Sequence, residues 1–403
     1  MNIDVERNID RMAGQPICRL LSLLPRKKKP VSADTRPRNI LIIMLSEMGS
    51  LVLAQPMFGY LREKFPQARI YALVFEKNRE CLELFDSVPP QNIFTVNGDA
   101  LFALLRDSIR VLRRIRNQDM DTVIDCELFS RISSIYSGLS GAGIRVGFHP
   151  HTQEGLYRGN FINRPVLYNP YQHISEQFVT LAHAACPEAA GRPLVKRHIG
   201  KEKRSLPRLE VGSEAMNALQ GRLMRDFPEV EGMPLILIYP GGGLLPIRAW
   251  PMENYCRVAK DVLEKGYGVG IIGLKEDHGL AQQIAKALTS RFCMDLTGYT
   301  RSVKELITLF HLAKLLITND GGPGHFATLT PIPSIILYGP ETPVLYGPLG
   351  KNAVSLHAPV ACSPCLTAYN HRKSPCDGNN VCLQSITPET VLKKAYELLG
   401  DAD

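Results

Sequence analysis

Leu315-Leu316-Ile317-Thr318-Asn319-Asp320-Gly321-Gly322-Pro323-Gly324-His325 joins an aliphatic half to a glycine-rich half. The first half shows no polar alternation, as a strand buried on both faces of a parallel sheet should not. The second half is a turn, and Pro323 suits the first turn of a helix, where its missing N–H costs nothing. Free N–H groups at such a helix start, with glycines permitting close approach, form an anion site. Asp320, Gly321, Gly322, Gly324 and His325 are therefore candidate contacts to a phosphate-bearing ligand, with His325 as a donor. The plainer reading of the same residues is a glycine-rich turn beside a buried histidine.

Tyr239-Pro240-Gly241-Gly242-Gly243 repeats the arrangement upstream. Gly242 and Gly243 allow a second backbone cradle, and Arg248 can hold a diphosphate by two parallel hydrogen bonds. Trp250, the only tryptophan, reads as core. Two phosphate-friendly turns in one segment favour a diphosphate over a lone phosphate.

Outward from these turns the chain alternates β-rich and helical segments. Asn39–Leu45, Arg69–Val74, Asn92–Val96, Thr122–Cys126 and Arg145–Phe148 read as strands, with helices at Leu51–Lys64, Ala100–Arg116 and Ser130–Leu139. A second series runs Leu235–Tyr239, Val269–Gly273, Phe292–Asp295, Leu315–Asn319 and Ser334–Tyr338, with helices at Pro251–Lys265, Asp277–Leu288, Val303–Ala313 and from Pro323. Such alternation implies parallel sheets covered by helices on both faces. The expected division is a leader (1–37), a first α/β domain (38–190), a linker region (191–233), a second α/β domain (234–386) and a terminal helix (387–403). Two open α/β domains place a ligand in the cleft between them, outside the carboxyl ends of their strands.

Composition excludes several classes. The 403 residues are 45% apolar and 21% charged, which suits neither a disordered chain nor a fibre. The longest aliphatic run, Ile40–Leu45, is far short of the ~20 residues a membrane span needs. Met1–Asp10 is polar and does not open as a signal peptide. These features lead us to expect a soluble, cytoplasmic protein. The net charge of +8 is concentrated in residues 1–38, where nine bases meet four acids, so no nucleic-acid partner is expected. In that leader Ile17, Leu20, Leu21 and Leu24 form a helical stripe, and Arg26–Lys29 follow it. The pattern fits a helix lying on an anionic inner-membrane surface, or one docked on the protein's own body. Arg106, Arg110, Arg113 and Arg114 form a second basic stripe, read as a solvated helix face.

The body resembles glycosyltransferase family 9, the bacterial heptosyltransferases of lipopolysaccharide synthesis, from about Asn39 to Leu399. The resemblance rests on Arg248-Ala249-Trp250-Pro251, Asp295-Leu296-Thr297-Gly298, the Asn319–His325 turn, and Leu337-Tyr338-Gly339-Pro340-Glu341-Thr342-Pro343 with Gly347-Pro348. It implies an α/β protein of GT-B fold: two Rossmann-like domains with parallel sheets facing across a cleft. It further implies an ADP-heptose-like donor, a lipopolysaccharide or related glycan acceptor, and inversion at the anomeric carbon with no catalytic cofactor. By the same resemblance Arg248 replaces a phosphate-contacting lysine, Glu276 meets the ribose hydroxyls, and Leu296 and Thr297 lie near the base. Gly321 stands where the family usually has Ser or Thr, so one hydroxyl contact is missing.

Transfer needs a group that takes the proton of the attacking acceptor hydroxyl. Many family members carry Gly-Asp after the first strand, with that Asp as base; here the pair is Gly49-Ser50. Glu47, in the same turn, is the first candidate for base, followed by Asp125 and Glu127 at the end of the Thr122–Cys126 strand. The plain readings are an exposed loop acid for Glu47 and a helix cap for Asp125. Cys362, Cys365, Cys376 and Cys382 crowd one segment. They fit a structural Zn or Fe site, or free and oxidisable thiols. Related heptosyltransferases that modify autotransporters hold an iron with cysteines in a similar place. Besides a family member using a different donor sugar or a protein acceptor, two rivals stand beside the heptose transferase: a catalytically silent nucleotide-sugar-binding subunit, favoured by Ser50, and a nicotinamide-linked enzyme. The second is disfavoured because Ser46-Glu47-Met48-Gly49-Ser50 is not a G-x-G-x-x-G turn.

Overall fold

A computed structural model describes residues 8–23, 36–45, 47–128, 130–149, 157–189, 195, 206–243, 245–358, 360–367 and 373–401. The chain forms two compact units, Met1–Arg204 and Ser205–Asp403.

In the first unit the strands are β1 (Asn39–Ile43), β2 (Arg69–Phe75), β3 (Ile93–Val96), β4 (Thr122–Asp125), β5 (Ile144–Phe148) and β6 (Arg164–Val166). They lie in the order β3-β2-β1-β4-β5-β6, every neighbouring pair parallel. Ile40, Leu41, Ile42 and Ile43 are all buried, because β1 is central and covered on both faces. The helices are α1 (Gln15–Leu23), α2 (Met48–Leu53), α3 (Gln55–Lys64), α4 (Arg79–Glu83), α5 (Leu101–Arg116), α6 (Arg131–Leu139) and α7 (Ile174–Ala184). The chain builds outward from β1 in one direction and then, after β3, in the other. Right-handed crossovers therefore put the β1–β2 and β2–β3 connections on one face, and α5 and α6 on the opposite face. The gap between β1 and β4 is the switch point where such sheets bind ligands.

The second unit repeats the plan with β7 (Leu235–Tyr239), β8 (Gly268–Gly273), β9 (Cys293–Thr297), β10 (Leu315–Asn319), β11 (Ser334–Tyr338) and β12 (Ala353–His357). Its order, β12-β11-β10-β7-β8-β9, is the same topology, with the switch point between β7 and β10. The remaining helices are α8 (Ser213–Asp226), α9 (Met252–Glu264), α10 (His278–Leu288), α11 (Val303–Leu312), α12 (Gly322–Ala327), α13 (Pro343–Tyr346), α14 (Val381–Gln384) and α15 (Pro388–Leu399). One core joins Ile236, Ile238, Ile317 and Ile335 of the sheet to Val258 and Val262 of α9 and to Val391 and Ala395 of α15. The terminal helix thus belongs to the second unit.

Several expectations change. The helix expected over Leu51–Lys64 is two helices, α2 and α3, parted at Ala54 next to Pro56, whose missing N–H interrupts the ladder. The linker expected over 191–233 is shorter, because α8 belongs to the second unit. Leu219 and Leu223 are buried, and Arg222 pairs with Glu305 of α11 at 2.8 Å. Most of 190–205 lies outside the described residues, as does the basic cluster Arg26–Lys29. Within the leader, the helix docks on its own unit through Gly14, Cys18 and Leu21. Cys18 and Leu21 pack with Phe161 and Ile162, while Asp10 pairs with Arg131 at 2.9 Å. Ile17 and Leu20 of the expected apolar stripe point outward. Small residues let the helix approach closely: a Cβ on Gly14 would stand 2.9 Å from Arg131 Cβ.

Candidate functional site

Both glycine turns leave the carboxyl ends of β7 and β10, the two strands that flank the switch point of the second sheet. Asn319, the last residue of β10, ties them together. Its Nδ2 donates to the carbonyls of Pro240 (3.1 Å) and Gly241 (3.0 Å). Its Oδ1 accepts from Trp250 N (3.1 Å) and the Tyr255 hydroxyl (2.7 Å). All four hydrogen bonds an amide side chain can make are filled. Asn319 is fully buried, so this clamp fixes the β7 turn against the start of α9.

The glycines have distinct reasons. A Cβ on Gly242 would lie 2.7 Å from Leu245 O and 2.8 Å from Pro246 Cα, so the turn closes on itself there. Gly243 holds φ +59°, the left-handed region. A Cβ on Gly324 would meet Ile336 Cδ1 at 2.8 Å, so α12 sits tightly on the sheet. Gly321 and Gly322 differ: nothing approaches their Cβ positions closer than 3.7 Å. Space beside the backbone at Gly321 and Gly322 is what a ligand cradle requires.

Arg248 is buried and sits among acids. Its Nη2 donates to Glu341 Oε1 at 3.0 Å, and its Nε lies 3.5 Å from Asp320 Oδ2. Both carboxylates are buried too, as is His325. One edge of the guanidinium is turned to Glu341 and Asp320, so a two-point grip on a diphosphate would have to use its Nη1–Nη2 end. It acts as a fixed buried cation held in the turn.

Glu276 is exposed just past the end of β8, in the Lys275–Asp277 turn. Leu296 is a core residue: its side chain is buried and stands 2.7 Å from where a Cβ on Gly270 would be. Its side chain therefore packs inward, leaving its backbone as the part that could lie near a nucleotide base. Thr297 is half-buried and bound by its own hydroxyl to Asp295 at 2.6 Å. Trp250 is core, donating from Nε1 to the carbonyls of Leu383 and Ile386.

In the first unit the three candidate acids lie at the carboxyl ends of β1 and β4. Glu47 is half-buried and caps α2, its carbonyl accepting from Ser50 N at 3.1 Å. Asp125 is completely buried and ion-paired with Arg158, itself completely buried. Arg158 also donates to the carbonyl of Glu127 and to Ser133 Oγ. Burial pushes the Asp125 carboxyl up to about 6 against the pull of Arg158. Enclosed this way, Asp125 cannot reach an acceptor hydroxyl, and its expected role as an alternative base is corrected to a structural one. Glu127 is buried as well, and its Oε1 accepts from Leu45 N at 2.7 Å, bracing the end of β1. Of the three acids, Glu47 is the one partly open to solvent.

Among its described residues the cysteine segment gathers no metal site. Cys362 and Cys376 are exposed, Cys382 is buried, and no disulfide links them. Cys365 Sγ lies 3.0 Å from Ser374 Oγ, and Cys376 Sγ faces Asn380 Oδ1. Burial pushes the Cys382 thiol up. Among the described residues no three His, Cys, Asp or Glu side chains converge on an ion-sized site, so the expected Zn or Fe site has no support.

Sequence reasoning quoted Asn319 and Glu341 within motifs without giving them roles, and it missed Arg158. The available signal for the first two was position, since each stands at or just beyond the carboxyl end of a central strand. Arg158 lies in a loop with no periodicity, and its partner is distant in the chain.

The sequence profile of glycosyltransferase family 9 (heptosyltransferase) matches residues 108–374. Lipooligosaccharide heptosyltransferase 2 of Haemophilus ducreyi is 24% identical over 90% of this chain and 99% of its own length. Lipopolysaccharide heptosyltransferase 2 of Salmonella typhimurium is 25% identical, with coverage of 90% and 99%. The solved structure of Escherichia coli ADP-heptose lipopolysaccharide heptosyltransferase II superposes with a TM-score of 0.68 at 22% identity, covering 90% of this chain and 98% of that one.

Proposed function

The chain belongs to glycosyltransferase family 9, the heptosyltransferases of GT-B fold, and from that premise we propose that it moves a heptose from ADP-heptose to a hydroxyl of a lipopolysaccharide core. The observation that carries the donor half is the clamped pair of glycine turns at the switch point of the second sheet. The names of the relatives supply the sugar, the nucleotide and the acceptor class.

In this reading the diphosphate lies against the open backbone of Gly321 and Gly322, with His325 donating and Gly242 and Gly243 forming the opposite wall. Arg248, held by Asp320 and Glu341, supplies the fixed positive charge. Glu276 meets the ribose hydroxyls, and Thr297 borders the base. The acceptor oxygen attacks the anomeric carbon from the face opposite the diphosphate. The new C–O bond forms as the bond to phosphate breaks, the electron pair leaves with ADP, and the configuration inverts. Glu47 takes the acceptor proton. Charge on the departing ADP is met by donors already in place, which is where electrostatic catalysis acts most strongly.

The test is ADP release from ADP-heptose with purified lipopolysaccharide acceptor. Glu47→Gln should lower kcat by about 10²–10⁴-fold. Its thermal stabilisation by ADP should stay at the wild-type level, and ADP should stabilise more than UDP or GDP. Undiminished turnover in Glu47→Gln would remove the base assignment. Stabilisation by ADP without any transfer would establish instead the silent binding subunit that Ser50, in place of an acid, favours.

A further inference from the structure

Two helices of the first unit direct large apolar side chains into solvent. In α5, Leu104, Val111 and Ile115 face the sheet. Phe102, Leu105 and Ile109 face away from it, exposed to 79%, 56% and 55%. Spaced i, i+3 and i+7, these three form a single outward stripe. Arg106, Arg110 and Arg113 lie along the same outward side. Asp107, the only acid among five arginines in this helix, pairs with Arg106 and Arg110 from the buried side. Both arginine side chains stay more than half exposed. In α1, Leu20 and Leu23 are exposed to 63% and 81%, beside Arg19.

The two helices share one face of the sheet. Between them stands α6, whose Tyr136 meets Ser108 of α5 and whose Leu139 carbonyl accepts from Arg116. Ile135 and Leu139 of α6 pack on Cys18 and Leu21 of α1. Isolated exposed leucines are ordinary; apolar stripes set among arginines on neighbouring helices mark a contact surface.

We propose that the α5–α6–α1 layer docks on an anionic phospholipid surface, with Phe102, Leu105, Ile109, Leu20 and Leu23 at the headgroup–acyl boundary and the arginines on lipid phosphates. Amphipathic helices with this division bind membranes by apolar burial plus attraction to anionic headgroups. The charge argues for lipid over a second copy of the chain. A two-fold contact would set the α5 arginines against themselves. No helix among the described residues is long and apolar enough to cross a membrane, so this surface lies on the bilayer.

Sedimentation of the full chain with vesicles tests this without donor or acceptor, so its outcome is separate from that of the transfer reaction. Vesicles of phosphatidylethanolamine with phosphatidylglycerol should pellet the protein, salt should release it, and phosphatidylcholine vesicles should not bind it. Each basic charge near such a surface is worth about fivefold in partitioning, so Arg19→Glu with Arg113→Glu should weaken binding at least tenfold. Phe102→Ser with Ile109→Ser should weaken it comparably. All four positions are exposed, and thermal unfolding should not shift. Equal binding to phosphatidylcholine, or undiminished binding by both double variants, would overturn the proposal. So would a dimer that Phe102→Ser dissociates, which would give the face to a second copy.

Discussion

Asn319→Ala tests the clamp on which the donor site is built. The substitution removes four hydrogen bonds at once. The Tyr255 hydroxyl keeps a weaker acceptor, the Tyr239 carbonyl at 3.3 Å, but the carbonyls of Pro240 and Gly241 and the N–H of Trp250 lose a partner. A buried polar group left without a hydrogen bond costs about 1–3 kcal/mol. Three such groups, with water admitted to part of the vacated space, bring the loss to about 3–5 kcal/mol. For a unit of this size each kcal/mol is worth about 2–4 °C, so the unfolding of the second unit should drop by about 6–20 °C. Tyr255→Phe removes one bond of the four and should cost about 1 kcal/mol. Asn319→Asp keeps the acceptors but aims a carboxylate at two carbonyls, so it should be no better than alanine. Differential scanning calorimetry reads the stability, and ADP titration reads the site, where affinity should fall as the β7 turn loosens. A loss below about 1 kcal/mol for Asn319→Ala, or a wild-type melting profile for Asn319→Asp, would refute the clamp.

Arg248→Met should destabilise by about 3–5 kcal/mol, because Asp320 and Glu341 are left buried without their cation; adding Glu341→Gln should recover part of the loss in urea unfolding. In Gly242→Ala the new methyl meets backbone atoms of Leu245 and Pro246, so the turn must shift; we expect a cost of about 1–3 kcal/mol and weaker ADP binding by calorimetric titration. The hydrogen bond from Arg222 holds the Glu305 carboxyl below its ordinary 4.5. A depressed carboxyl contributes stability that is present above its ordinary value and lost as pH falls through the folded one. Glu305→Gln should accordingly flatten the acid limb of the stability profile below about pH 4.5, by no more than about 1 kcal/mol for this partly exposed pair.

Local pattern made most of the architecture readable. Continuous aliphatic runs such as Ile40–Ile43 and Leu315–Ile317 have one stable use in a chain of this composition, a parallel strand covered on both faces. Glycines just after β7 and β10 could be read as turns: at Gly242 and Gly243 the backbone needs a close approach and a left-handed conformation that side chains resist, while Gly321 and Gly322 leave open space beside it. Harder to read were the elements whose stability comes from distant partners. The Ser213–Asp226 helix falls inside the expected linker region, and what ties it to the second unit is distant in the chain: Arg222 on Glu305 and its contacts with α11. The edge strands β6 and β12 are short and partly polar, and they become strands only by pairing with β5 and β11.

For the site the same division holds. That Asp320–His325 is a glycine-rich strand–helix turn, and that Glu47 ends the first strand's turn, follow from residues adjacent in the chain. What each charge does depends on residues far away in sequence. Asp125 is a structural ion because Arg158 closes over it, and Arg248 is shared because Glu341, almost a hundred positions later, reaches it. Chain-local preference is written in neighbouring residues. The protonation, access and pairing of a buried charge are set by the field and solvent exclusion of its surroundings, which exist only once the chain has folded.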